Sequence, residues 1–165
     1  MSSDVLKAQL HDRFAREHAT TMRVIRAFPE PQWAFRPHER SPSAFDLLAT
    51  MVRELAGVEA VLNRTWTMPP TFPDGPATWS DGVTMLDHAG ARVIDGLARS
   101  PDGRLTESVV FFTGPGTAGP MPVHDLLWFW LLDTIHHRGQ LSVYVRLAGG
   151  RVPAIYGPSA DEPWS

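Results

Sequence analysis

Asp133 and His137 stand four positions apart in the run Leu131-Leu132-Asp133-Thr134-Ile135-His136-His137-Arg138-Gly139-Gln140, which meets no helix-stopping residue until Gly149-Gly150. On a helix, side chains four apart share a face, one turn from each other. A carboxylate and an imidazole placed in this way can hold one metal ion. The pair suits Zn, Ni, Fe or Mn, and the interior of a helical bundle is a common place for such a site. The same spacing also lets Asp133 accept a hydrogen bond from a buried His137 and do nothing more. A catalytic zinc takes three protein ligands and an open position, so the metal reading needs a further donor from another helix.

Glu54, four residues after Thr50, is the carboxylate available for that purpose. With Arg53 beside it, Glu54 also reads as part of a solvated helix face, the commoner place for charged residues. His136 is turned about 100° from His137 on a helix, toward a neighbouring helix or a subunit interface. Gln140, three residues beyond His137, is placed to orient the second ring nitrogen. Arg138, Gln140 and Tyr144 equally fit ordinary hydrogen bonding at the edge of a packed helix. His18 falls near an apolar stripe and reads as a bonded core residue, whereas His11, His38, His88 and His124 have no partner at ligand spacing. Trp128 and Trp130 read as core or interface aromatics.

Other chemistries find no support. The absence of cysteine excludes disulfides, zinc–thiolate sites and a cysteine nucleophile. No serine sits in a Gly-x-Ser-x-Gly turn. The glycine-rich run Gly114-Pro115-Gly116-Thr117-Ala118-Gly119 lacks the Lys-Ser/Thr of a phosphate loop.

Four segments of helical period must position these residues. The first runs from about Asp4 to Phe28, with Leu6, Leu10, Phe14, Thr21, Ile25 and Phe28 as one stripe; Pro29 and Pro31 end it. The second runs from Ala44 to about Trp66, with Ser43 as N-cap and Asp46 near its positive end. Its stripe is Leu47, Leu48, Met51, Leu55, Val58 and Leu62. Thr67 to Pro76 is too rich in proline for a helix and long enough to cross the end of a bundle. Such a crossover permits neighbouring helices to run parallel.

Trp79-Ser80-Asp81 opens the third helix, which continues to about Arg99 with Val83, Leu86, Val93, Ile94 and Leu97 facing inward. Glu107 to Phe112 has strand character, and a short strand or hairpin fits before the fourth helix. The fourth helix runs from about Val123 to Ala148. It is apolar almost all round between Leu126 and Leu132, so it should be covered on more than one side. The expected fold is all-α: a four-helix bundle with a long crossover between the second and third helices, spanning residues 1–165 as one domain.

The chain has 165 residues, is 43% hydrophobic and carries a formal net charge of −3. That is long enough for a real core, and the charge offers no basic face for nucleic acid. The polar start Met1-Ser2-Ser3-Asp4 lacks the order of a signal peptide, and no apolar run approaches the ~20 residues of a membrane span. The expectation is a soluble cytoplasmic protein.

Phe35-Arg36-Pro37-His38-Glu39-Arg40-Ser41, the stretch Ile135-His136-His137-Arg138-Gly139-Gln140-Leu141-Ser142-Val143-Tyr144-Val145-Arg146, and Val152-Pro153-Ala154-Ile155-Tyr156-Gly157-Pro158-Ser159 together resemble the DinB-like superfamily, the damage-inducible and YfiT-like metalloprotein bundles. The resemblance covers nearly the whole chain. It implies a four-helix bundle with the long crossover, and a homodimer. It also implies three histidines round one divalent metal: one on the second helix and two, four apart, on the fourth. Here His137 matches, Asp133 takes the first fourth-helix position, and Thr50, a poor ligand, takes the second-helix position. Glu54, one turn on, is the candidate substitute, which makes His137, Asp133 and Glu54 the expected ligand set. Relatives include transferases and isomerases in which the metal activates a low-molecular-weight thiol. The resemblance thus implies a metal-dependent thiol transferase or hydrolase acting on a small electrophile. The competing reading is a non-catalytic dimeric bundle, a binding or stress-associated protein with a degenerate metal site.

Overall fold

A computed structural model describes residues 3–164. Its elements are α1 (Ser3–Ala27), α2 (Ala44–Leu62), α3 (Trp79–Arg99), β1 (Ser108–Gly114), β2 (Thr117–Pro122) and α4 (Val123–Leu147). β1 and β2 form a two-stranded antiparallel hairpin in which Ser108 pairs with Pro122 and Phe112 with Ala118. The expected bundle, crossover and hairpin are all present.

Local chemistry accounts for the helix starts. Ser43 Oγ accepts the Asp46 N–H (3.1 Å) and Asp46 Oδ2 accepts the Ser43 N–H (2.8 Å), a reciprocal cap at the start of α2. Thr78 caps α3 by accepting the Asp81 N–H, one residue before the expected opening at Trp79. α2 stops at Leu62, four residues short of the Trp66 read from the sequence. Arg64 turns left-handed (φ 63°), and the chain leaves the helix axis there. Trp66 then packs against Phe111 and Trp130 and donates its indole N–H to the Val110 carbonyl, contacts it could not reach from a continued helix.

The helices pack as α1 on α3, α3 on α2, α2 on α4 and α4 on α1. Chain neighbours α1 and α2 therefore lie across a diagonal, as do α3 and α4. Close pairs give the directions. Leu48 lies against Gly82, Glu59 bonds Arg92 and Leu62 lies against Gly96, so α2 and α3 run parallel. Glu54 meets Thr134 while Gly57 meets Trp130, so α2 and α4 run antiparallel. The crossover over residues 63–78 permits the parallel pair, as expected from its length.

The inward stripes close on one core. Every residue of the α1 and α2 stripes named above is buried, as are Leu86, Val93 and Leu97 of α3. Two glycines set the spacing. A Cβ on Gly57 would come within 2.9 Å of Trp130, and one on Gly90 within 2.1 Å of the His18 ring. The close approach of α2 to α4 at Gly57 brings Glu54, one turn away, into reach of α4. α4 itself departs from expectation on one side. Phe111 of the hairpin covers Trp130 and touches Phe129, yet Phe129 and Leu132 stay 48% and 59% exposed. Residues 151–164 have no regular structure but are pinned to the bundle. Asp161 pairs with Arg146, Glu162 with Arg23, and the Tyr156 hydroxyl lies between Glu17 and Arg138.

Candidate metal centre

Glu54 lies in register with Leu47, Met51, Val58 and Val61, the buried face of α2, and is only 6% exposed. The solvated-face reading therefore fails for Glu54, and its reason is visible in the spacing: the residue sits three after Met51 and four before Val58. Arg53, one step round the helix, is exposed. On α4, Asp133 and His137 share a face opposite Glu54. Their side chains are 39% and 18% exposed, so the group opens to solvent on the Asp133 side.

Glu54, Asp133 and His137 each offer a ligand atom, and those atoms all lie within 4.8 Å of one another. His137 Nε2 is 3.3 Å from Glu54 Oε1 and 3.6 Å from Asp133 Oδ1. Donors about 2.1 Å from a tetrahedral ion are ~3.4 Å apart, so these spacings fit one small cation. The simple Asp133–His137 hydrogen bond is not made, because 3.6 Å is too long. Glu54 Oε1 is buried and has no hydrogen-bond donor in place among the described residues. A buried, unsatisfied carboxylate oxygen is costly, and an ion at this point would satisfy it. Two carboxylates facing one imidazole also carry surplus negative charge, which a divalent cation matches.

The outer contacts prepare the donors. His137 Nδ1 is 3.2 Å from Gln140 Oε1, as the spacing suggested; with Nδ1–H donated there, Nε2 presents its lone pair to the group. Thr134 Oγ1 donates to Glu54 Oε2 at 2.7 Å. Burial pushes the Glu54 carboxyl up, against the opposing pull of His137 and Thr134. The Glu54 carboxylate holds the His137 imidazole above its usual range, against burial.

The remaining candidates fall elsewhere. Thr50 donates its hydroxyl to the Asp46 carbonyl and accepts from Arg53, outside the group. His136 is exposed, its ring beside that of His137, outside the group. Tyr144 is buried against Phe35 and donates to the Pro42 carbonyl, away from the centre. His18 is partly buried, 3.5 Å from Asp87 and pushed below its ordinary pKa chiefly by burial, but its Nε2 has no hydrogen bond, so the bonded core residue expected there is not formed.

Arg138 is not at the edge of the helix. It is 1% exposed, pairs with Glu17 at 2.6 Å, and lies over the Tyr156 ring. The signal that reveals both Thr134 and Arg138 is the buried α4 stripe Leu127, Leu131, Thr134, Arg138, Leu141 and Val145, which a reading for charged clusters passes over.

Comparison with known proteins agrees with this architecture. A sequence profile of the DinB family matches residues 83–164. An uncharacterized protein of Bacillus subtilis (strain 168), YrdA, is 50% identical over 42 residues, 26% of this chain and 25% of that protein. The matched stretch thus spans a quarter of that curated relative. Among solved structures, the DinB-like protein YjoA of Bacillus subtilis superposes with a TM-score of 0.69 at 17% identity, covering 94% of this chain and 96% of that one. A DinB-like protein from Bacillus cereus ATCC 10987 gives 0.62 at 16% identity, covering 89% and 95%.

Proposed function

Because the chain belongs to the DinB-like superfamily, we propose that Glu54, Asp133 and His137 hold one divalent cation (Zn, Ni, Fe or Mn) and that the protein is a metal-dependent thiol transferase or hydrolase acting on a small molecule. The observation that carries the reading is the buried Glu54 Oε1, left without a donor and facing His137 Nε2 at 3.3 Å. A cation there would supply Lewis acidity, lowering the pKa of a thiol or water brought to it.

The chain's own residues set the conditions for that chemistry. Glu54, buried on α2, closes the inner side of the group. Gln140 fixes the His137 ring so that Nε2 is the donor. Asp133, partly exposed, marks the side from which a small thiol and an electrophile would approach. Three protein donors leave coordination positions open for them, the arrangement of catalytic rather than structural sites.

Metal analysis of untagged protein tests the reading. About one divalent ion per chain is expected, lost in His137→Ala and in Asp133→Ala. Substoichiometric metal unchanged by both substitutions overturns it. The second reading, a non-catalytic bundle with a degenerate site, is favoured by one observation: Thr50 commits its hydroxyl to the Asp46 carbonyl and contributes nothing to the group.

We further take the protein to act as a cytoplasmic homodimer. The exposed apolar residues Phe129, Leu132, Val143 and Leu147 along α4 support self-association, and no helix among the described residues is long and apolar enough to cross a membrane. A monomeric mass by light scattering at micromolar concentration removes the dimer.

A further inference from the structure

We propose that Thr134 is a positioning residue of the centre: its hydroxyl takes up Glu54 Oε2, so that Glu54 offers a cation Oε1 alone. The inference rests on reading Glu54, Asp133 and His137 as ligands.

Helical threonines have a habitual partner, the carbonyl four residues back. Thr20, Thr50 and Thr84 of this chain follow it, donating to Arg16, Asp46 and Ser80. Thr134 does not. Its hydroxyl reaches across to α2 and donates to Glu54 Oε2 at 2.7 Å, between two side chains that are 7% and 6% exposed. The last torsion of a glutamate has no strong preference of its own, and little solvent reaches this one to hold it. A hydrogen bond to a carboxylate in such a place is among the stronger kinds. It fixes the carboxylate plane and directs Oε1 to the side where His137 Nε2 lies.

The consequence is a ligand count. A free glutamate can chelate through both oxygens, but one oxygen held by Thr134 leaves a single donor. Glu54, Asp133 and His137 then fill fewer positions on the ion, and more remain for incoming groups.

The test titrates Zn²⁺ by chelator competition and Co²⁺ by visible absorption into wild type, Thr134→Val and Thr134→Ser. Val keeps the shape of Thr and removes the donor; Ser keeps the donor. Thr134→Val is expected to weaken Zn²⁺ binding roughly 10- to 100-fold, the usual effect of losing a group that supports a ligand. It should also alter the Co²⁺ spectrum as Oε2 is released to the ion. Thr134→Ser should return both readings close to wild type. A Val variant that binds as tightly as wild type with an unchanged spectrum overturns the role of Thr134 alone, as does a Ser variant no better than Val. A wild-type protein that binds neither ion overturns the ligand set and this inference with it. Unfolding midpoints of the metal-free proteins separate a lost donor from a lost fold.

Discussion

Consecutive residues of α4, His137 and Arg138, enter two polar clusters of opposite character. Arg138 meets Glu17 at 2.6 Å, and the Tyr156 hydroxyl accepts from the guanidinium while donating to Glu17. Opposite charges match there, and neither Arg138 nor Glu17 leaves a buried side-chain atom unpartnered. His137 faces two carboxylates, with surplus negative charge and one buried oxygen unsatisfied. The first cluster is complete and ties the irregular C-terminal segment to the bundle. The second is incomplete on its own terms. Neighbouring polar clusters can thus hold a fold or await a ligand, and the accounting of donors and acceptors distinguishes the two.

The largest expected effect breaks the complete cluster. Arg138→Ala leaves the buried Glu17 without its charged partner, the Tyr156 hydroxyl aside, and should cost about 3–5 kcal/mol in chemical unfolding, the range for breaking a buried pair. Glu54→Gln should change the metal-free stability by only about 1 kcal/mol, since Thr134 can still donate to the amide oxygen. Equal losses in the two variants would erase the distinction.

The second effect is smaller and confined to the incomplete cluster. A divalent ion at one hundred times its dissociation constant should stabilise wild type by about 2.7 kcal/mol. Asp133→Ala should lose that gain. Arg138→Ala, where it folds, should keep it. Calorimetric melting with and without the ion reads all three.

The smallest effect concerns His18, which borders the same interior chamber as Glu17 and Thr134. Burial lowers its pKa despite the help of Asp87, with Arg26 adding to the lowering. An unfolded imidazole titrates near 6.5, so below about that pH the unfolded chain takes up the proton first. Stability should therefore decline from near pH 6.5 down to the lowered folded value. His137 works in the other sense, its raised value adding stability as pH falls. The unfolding midpoint of wild type should fall more steeply from pH 7 to 5 than that of His18→Gln. Parallel slopes would show that His18 is not the group responsible.

Much of the fold was legible because its signals are local and periodic. The proline and glycine boundaries, the Ser43 cap and the inward stripes all depend on residues a few positions apart. The early end of α2 was not, because Trp66 leaves the helix for Phe111 and Trp130, partners far along the chain. At the site, Asp133, His137 and Gln140 lie within two turns of one helix and could be read together. Glu54 could be nominated as a donor, but its charged neighbour Arg53 drew it toward a solvated face; only the apolar residues around it place it inward. Thr134 and Arg138 act across the bundle, on Glu54 and Glu17, and no local spacing carries such a pairing.

The diagonal placement of chain neighbours has a kinetic consequence. In an up-and-down bundle each new helix can zip against the one before it, and folding proceeds through short loops. Here α1 and α2 must each wait for α3 and α4 to give them a packing surface. Closing large loops before contacts can reward them slows folding. This chain should therefore fold more slowly than an up-and-down bundle of its length. During synthesis, Glu54 remains unmatched until α4 has emerged and docked, so the cluster of Glu54, Asp133 and His137 is assembled only near the end of folding.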